Sequence, residues 1–200
     1  MRFSTNKAIL AVAVCSSFVC ASAAMAGDAA KGNSVSMHFV GAVTSSTCDV
    51  RPFNSAGVDA TTINVGTVEP GGNKTPTPPV KFYLKPVNCE LGSITSTNAS
   101  ILWSSSGLST VGLLNTHGTA TGVHVELAPV NETGANPVSE GGVPADGLVK
   151  EGLNIVYYKA AGSDALTGSF AYKVGLKLDS SAGATPGTVD ADAIYTVAYN

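Results

Sequence analysis

Short apolar stretches separated by turn residues recur along the whole chain and limit the folds it can adopt. In one of them, Val123, Val125 and Leu127 alternate with His124 and Glu126. An alternation with period two is typical of a half-buried strand. Many such stretches joined by Gly, Pro, Asn and Ser predict an all-β fold, either a sandwich or a barrel. The predicted strands cover residues 62–68, 80–89, 99–103, 122–130, 153–159, 170–178 and 193–199, with polar loops at residues 69–73, 136–147 and 179–186.

Composition and charge exclude several classes of function. The 200-residue chain has 12% charged residues and a formal net charge of −3, so no basic field favours nucleic acid or anionic lipid. No CxxC or nucleophile-elbow motif occurs, and three histidines leave little material for catalysis. We therefore expect no catalytic residues, no enzyme activity, no metal and no cofactor. A zinc site from His117, His124 and Glu126 is disfavoured because a Gly-rich turn separates His117 from the others, and all three are expected to face solvent.

Residues 1–26 have the pattern of a secretory signal peptide. Arg2 and Lys7 give a positive start, and the apolar stretch that follows is too short and too interrupted for a membrane span. Ala-Met-Ala at residues 24–26 is a small-x-small cleavage site, and Ala-Ser-Ala at residues 21–23 is a second one. The alternative is a buried N-terminal helix. Cleavage after residue 26 leaves 200 − 26 = 174 residues with a net charge of 9 − 14 = −5.

Export would also decide which cysteines remain in the mature chain and whether they are oxidised. Cys15 and Cys20 leave with the signal peptide, so the mature chain keeps Cys48 and Cys89. An exported chain with one pair of cysteines is expected to hold one disulfide, with two free buried thiols as the alternative. Closing a loop of that size stabilises a fold by roughly 4 kcal/mol in the chain-entropy model. The expected role of this pair is structural.

The segment ahead of Cys48 has the pattern of one extended strand. Its first part, residues 27–33, is small and polar like a loose tail, and in residues 34–43 every second residue falls on one face of an extended strand. A glycine inside a strand marks a close approach of another backbone, and Gly41 lies in the middle of this one. The residues on the apolar face are Val35, Met37, Phe39, Gly41 and Val43.

The other end of the sequence also alternates. Residues 190–200 keep the pattern to the last position, where a domain more often has a turn or a frayed tail. We therefore expect a terminal carboxylate at the end of a strand. The residues on one face of this strand are Ala191, Ala193, Tyr195, Val197 and Tyr199.

These two ends together resemble the major subunits of chaperone–usher fimbriae, the pilins of Gram-negative bacteria. The resemblance is carried by residues 37–43 leading to Cys48 and by Cys89 at the end of a strand. A C-terminal pattern completes it, with Gly187 fourteenth from the end and Tyr199 penultimate. The ends and the cysteine pair are specific, whereas the middle of the chain is generic β sequence.

The resemblance implies an incomplete immunoglobulin-like β-sandwich that lacks its last strand. In such pilins a periplasmic chaperone first fills the groove that the missing strand leaves, and the N-terminal extension of the next subunit then replaces it. Residues 1–26 would then be the signal peptide, residues 27–44 the extension with its donor strand, and residues 45–200 the pilin domain.

The same resemblance implies a role for particular residues. Val35, Met37, Phe39 and Val43 would enter the groove of the neighbouring subunit, and Gly41 would permit close contact. Cys48 and Cys89 would form the disulfide. The residues implied for accepting the donor strand and for chaperone recognition are Gly187, Ala193, Tyr195, Val197, Tyr199 and Asn200, the last through its carboxylate.

The function implied is that of a structural subunit of an adhesive fimbria, exported through the periplasm to the cell surface. Its partners would be identical subunits head to tail, a periplasmic chaperone and an outer-membrane usher, without nucleic acid or membrane insertion. The alternative is a monomeric secreted β-sandwich that binds a host glycan or another receptor, with Trp103 as a candidate for stacking on a sugar. A secreted hydrolase is disfavoured because no arrangement of acid, base and nucleophile is present.

Overall fold

The computed structural model confirms the all-β prediction. The residues it describes form strands and loops without a helix, and they therefore include no helix that could cross a membrane. The predictions for the signal peptide and for Met37, Cys48, Cys89 and Asn200 lie outside the described residues. The described residues are 35–36 and 39–43, which are placed by their backbone, and 49–69, 78–87, 97–132, 135–160, 166, 169–179 and 183–199.

Twelve strands are present among the described residues. Several are only two or three residues long, whereas five have seven or more residues and form the body of the fold. In chain order they are β1 (Val35–Ser36), β2 (Phe39–Val43), β3 (Asp49–Asn54), β4 (Val80–Val87), β5 (Asn98–Ser104), β6 (Leu113–Leu114), β7 (Val123–Val130), β8 (Asn136–Val138), β9 (Ile155–Lys159), β10 (Phe170–Leu178), β11 (Val189–Asp190) and β12 (Ala193–Tyr199).

Most of these strands belong to two sheets of five strands each. The first sheet has the order β3-β4-β10-β7-β6, and the second has the order β2-β12-β5-β9-β8. Neighbours in both sheets are antiparallel except β2 and β12, which are parallel. A separate parallel pair joins β1 to β11. Because side chains of both sheets share one core, the arrangement is compatible with a β-sandwich.

An aromatic cluster fills the core between the two sheets. Phe82 and Tyr172 belong to the first sheet, and Trp103 belongs to the second. The ring centroids of Trp103 and Tyr172 are 5.0 Å apart, and those of Phe82 and Tyr172 are 5.6 Å apart. Trp103 is only 1% exposed. The suggestion that it stacks on a sugar is therefore wrong, because alternation along β5 turns it inward.

The strands predicted from the sequence agree closely with the observed ones. β10 and β12 have the predicted bounds, and the described parts of four others lie within two residues of theirs. The prediction of a strand at residues 62–68 is wrong, since this segment is a loop that buries Ile63, Val65 and Val68 outside any strand. The predicted loop at residues 136–147 begins instead with the short strand β8.

Candidate functional site

The strand β2 lies parallel to β12 at the edge of the second sheet. The shorter strand β1 pairs with β11 in the same direction and in the same register, since 193 − 39 = 189 − 35 = 154. The two described pieces of the N-terminal segment thus pair with the C-terminal segment of the same chain in one register. The pairs that fall on the predicted apolar face are Val35 with Val189, Phe39 with Ala193, Gly41 with Tyr195 and Val43 with Val197.

The residues of β12 at these positions are those that it buries. Ala193, Tyr195 and Val197 are at most 2% exposed, whereas Ile194 between them is 46% exposed. Because paired positions of neighbouring strands share a face of the sheet, the apolar face predicted for residues 35–43 is in phase with the buried face of β12. The structure therefore brings the two predicted site segments together.

Tyr195 connects the two sheets beneath this edge. Its hydroxyl donates a hydrogen bond of 2.8 Å to the backbone oxygen of Val50 in β3, and its ring lies 5.7 Å from that of Trp103. Burial raises the pKa of Tyr195 to about 12, with the charge of Asp59 adding to the effect and that of Arg51 opposing it. The phenol is therefore protonated at neutral pH and remains a donor to Val50.

The position of Gly41 opposite Tyr195 gives the glycine a physical role. Directly opposed residues of adjacent strands have Cβ atoms only about 5 Å apart, so their side chains compete for the same space. The residue opposite position 41 is Tyr195, whose ring reaches across to β3. A glycine at position 41 lets the backbone of β2 lie along β12 without displacing this ring.

Two other residues of the predicted acceptor group have different surroundings. Tyr199 is half-buried in β12 with its ring 6.2 Å from that of Phe170, and burial raises its pKa to about 12. Gly187 lies outside the β12 ladder, against the loop that precedes β7. A Cβ atom at Gly187 would lie 2.5 Å from the backbone nitrogen of Ala120. Its position is explained by close packing of two loops.

Asn115 holds the same two loops together and was not identified from the sequence. Its Nδ2 donates to the backbone oxygens of Ala120 at 2.7 Å and Thr188 at 3.1 Å. Its Oδ1 accepts from the backbone nitrogens of Gly118 at 2.9 Å and Asp190 at 2.8 Å. Because two of these partners lie more than 70 residues away, no local pattern could have identified it.

The histidines do not form a common site. His117 places Nε2 2.9 Å from a carboxylate oxygen of Asp192, whereas the Nδ1 of His124 lies 2.5 Å from Asp179. The expectation that His124 faces solvent is wrong, because it is only 5% exposed. Among the described residues, no three histidine, cysteine or acidic side chains are grouped as metal ligands would be.

Comparison with known proteins assigns no family to the chain. No family model matches its sequence, and no curated protein matches it either. A proposal for its function therefore rests on its own geometry, above all on the sheet edge at which β2 pairs with β12.

Proposed function

We propose that the protein is a structural subunit of a surface fibre that assembles by exchanging its N-terminal segment between neighbouring chains. The observation that carries this proposal is the pairing of β2 with the outer edge of β12. On its other side β12 pairs with β5, so the position that β2 occupies is that of a completing last strand. In this proposal the remaining strands form an incomplete immunoglobulin-like sandwich.

The pairing geometry supports release of β2 from this position. β2 contributes five paired residues at a sheet edge, in a parallel ladder, which is slightly less stable per residue than an antiparallel one. β12 keeps six antiparallel pairs with β5 when β2 leaves. Release therefore removes one ladder without dismantling the sheet and leaves β12 with an unpaired edge.

An unpaired edge of this kind accepts a strand from another chain. Exposed strand edges pair readily with further strands, and a periplasmic chaperone would cover this edge until assembly at an outer-membrane usher. When each chain donates to the next, the contact is head to tail and does not close on itself. Repetition of such a contact gives an open fibre of identical subunits.

The register between β2 and β12 assigns the proposed donor and acceptor roles to particular residues. The donated residues are those of the apolar face, and the accepting ones belong to the buried face of β12. Position 41 needs a glycine because Tyr195 lies opposite it. The donor residues are Val35, Met37, Phe39, Gly41 and Val43, and the acceptor residues are Ala193, Tyr195, Val197 and Tyr199.

A disulfide between Cys48 and Cys89 is part of the proposal. β3 and β4 are antiparallel neighbours, and Asp49 at the start of β3 pairs with Val87 at the end of β4. In the sequence, Cys48 directly precedes Asp49, and Cys89 follows Val87 by two positions. The oxidising periplasm would allow this pair to form a disulfide beside the proposed donor segment.

Replacing Gly41 by leucine is expected to block assembly. A leucine side chain opposite Tyr195 competes with the ring for space, so the segment no longer fits along β12 in its own chain or in another. We expect at least a tenfold loss of high-mass species from the mature chain, residues 27–200. The measurement is the ladder that resists detergent on an unheated gel and collapses on boiling.

The matched control for this experiment is Ala42→Leu. Ala42 is adjacent in β2 but pairs with Thr196, which alternates with the buried residues of β12. This variant is expected to assemble like the natural chain. Equal assembly of the Gly41→Leu variant, or equal loss in both variants, would contradict the proposed function.

A further inference from the structure

A cleft on the outer face of the first sheet is separate from the β2–β12 edge. It has a volume of about 600 Å³ and is lined by residues of β7, by the end of β10 with Asp179 after it, by the loop between residues 108 and 113, and by Leu148 and Lys150. We call it the His124 cleft. Its polar lining converges from four chain segments, and none of the donor or acceptor residues contributes to it.

His124 is nine-tenths buried although it points outward from the sheet. The 108–113 loop packs against it at Gly112, where a Cβ atom would lie 2.6 Å from the backbone oxygen of Val125 and 3.3 Å from the His124 ring. Its Nδ1 donates to the carboxylate of Asp179, because an ionised carboxylate only accepts hydrogen bonds. The ring is thus held in one orientation at the base of the cleft.

The other nitrogen of this ring faces a second carboxylate. Nε2 of His124 lies 3.9 Å from Oε1 of Glu126, which is too long for a direct hydrogen bond. An imidazole ring that carries its one proton on Nδ1 offers Nε2 as an acceptor, and the carboxylate of Glu126 is also an acceptor. Two acceptors at this separation suit a ligand that presents two neighbouring hydroxyl donors, as a sugar ring does.

Two lysines in the lining of the His124 cleft indicate which charge the ligand carries. Lys177 of β10 pairs across the sheet with His124, and Lys150, which also lines the cleft, follows Val149, whose backbone nitrogen donates to the oxygen of Leu127 in β7. Neither ammonium group has an ion-pair partner among the residues that the structure describes. Two unpaired ammonium groups at one cleft favour a ligand carboxylate.

The remaining lining argues for a compact ligand. Val111 is 45% exposed, and two leucines beside it give the cleft an apolar surface suited to the C–H face of a sugar. The carboxylates of Glu126 and Asp179 balance the charge of the two lysines, so the cleft is not a general site for polyanions. A ligand with one carboxylate and several hydroxyls satisfies both kinds of lining group.

We propose that the His124 cleft binds an acidic sugar residue of a glycan. The carboxylate lies between Lys150 and Lys177, and two adjacent hydroxyls donate to His124 and Glu126. This inference goes beyond the fibre function and does not depend on it, because every lining residue belongs to one chain. Each subunit of a fibre would then carry its own site.

The test is a binding titration of the mature chain, followed by nuclear magnetic resonance. The probes are the methyl glycoside of N-acetylneuraminic acid, its carboxamide and methyl galactoside. We expect the acidic glycoside to bind with a dissociation constant of about 1 mM, an affinity typical of weak single-site ligands. The carboxamide and the neutral glycoside are expected to bind at least tenfold more weakly, because neither can use the lysines.

Two lysine variants and a matched control complete the experiment. Lys177→Ala and Lys150→Ala are each expected to weaken binding of the acidic glycoside about tenfold. Lys159→Ala, an exposed lysine of β9 in the other sheet, is expected to change it less than twofold. The proposal is overturned if the acidic glycoside does not bind, if the carboxamide binds equally well, or if Lys159→Ala has the same effect. The sugar-binding test and the assembly test can fail separately, because residue 41 does not line the His124 cleft. The Gly41→Leu variant is therefore expected to bind the acidic glycoside like the natural chain.

Discussion

A mature chain that lacks residues 27–43 is expected to unfold at least 10 °C below the intact chain. The deletion removes β1 and β2 and leaves the edge of β12 without a partner over five residues. It also uncovers the side of the core at which Ala193, Tyr195 and Val197 are buried. The truncated chain is therefore expected to aggregate as well. Thermal melting followed by circular dichroism measures the difference.

A synthetic peptide of residues 31–44 is expected to reverse this loss. A ligand present at a thousand times its dissociation constant stabilises the folded state by about 4 kcal/mol. At about 2–4 °C for each kcal/mol in a domain of this size, the melting temperature rises by roughly 8–16 °C. A peptide that binds with higher affinity raises the melting temperature further.

The peptide with Gly41→Leu is the control for this experiment, and it is expected to give no more than a slight increase. A truncated chain that melts like the intact one, or that ignores the natural peptide, would show that the fold is complete without the segment. The fibre proposal would then lose its basis, and the protein would be better regarded as a monomeric binding module.

The substitution Tyr195→Ala is expected to destabilise the mature chain by about 3–5 kcal/mol. Tyr195 is 2% exposed and packs beside Trp103, and its hydroxyl bonds to Val50 across the two sheets. Alanine removes the ring and leaves a cavity under β2. The conversion of about 2–4 °C for each kcal/mol then gives a fall in melting temperature of roughly 6–20 °C.

Tyr195→Phe separates the hydrogen bond from the packing. Phenylalanine keeps the ring but leaves the Val50 oxygen without its donor, and we expect a cost of about 1–2 kcal/mol. Tyr157→Phe is the control, because Tyr157 is only half-buried, and it is expected to cost less than about 0.5 kcal/mol. Equal losses for both phenylalanine variants would contradict the role given to the Tyr195 hydroxyl.

The sequence was sufficient to predict the strands whose alternation is regular. β10 and β12 have the predicted bounds because burial on one face imposes period two on every residue. Residues 62–68 are also rich in apolar side chains, yet they bury Ile63, Val65 and Val68 from a loop and not from a strand. The apolar pattern reports which side chains are buried, whereas pairing depends on the neighbouring backbone, which a single sequence does not specify.

The contacts that define the candidate sites were harder to predict. Tyr195 was identified by its place in the terminal pattern, but its bond to Val50 joins residues 145 positions apart. Likewise, the outward side chain of His124 was expected in solvent, and the 108–113 loop buries it. Such contacts depend on how loops and sheets pack against each other in three dimensions. The secondary-structure propensity of the neighbouring residues therefore does not predict them.

In the proposed fibre, the segment that completes the β12 edge is exchangeable between chains. Native mass spectrometry of an equimolar mixture tests it most directly, using the intact mature chain and the chain without residues 27–43. The truncated chain has no segment of its own, so a stable complex with it requires the segment of an intact chain. We expect a one-to-one complex of the two chains that disappears when the intact chain carries Gly41→Leu. Two unmixed species, with the truncated chain folded and monomeric, would contradict it.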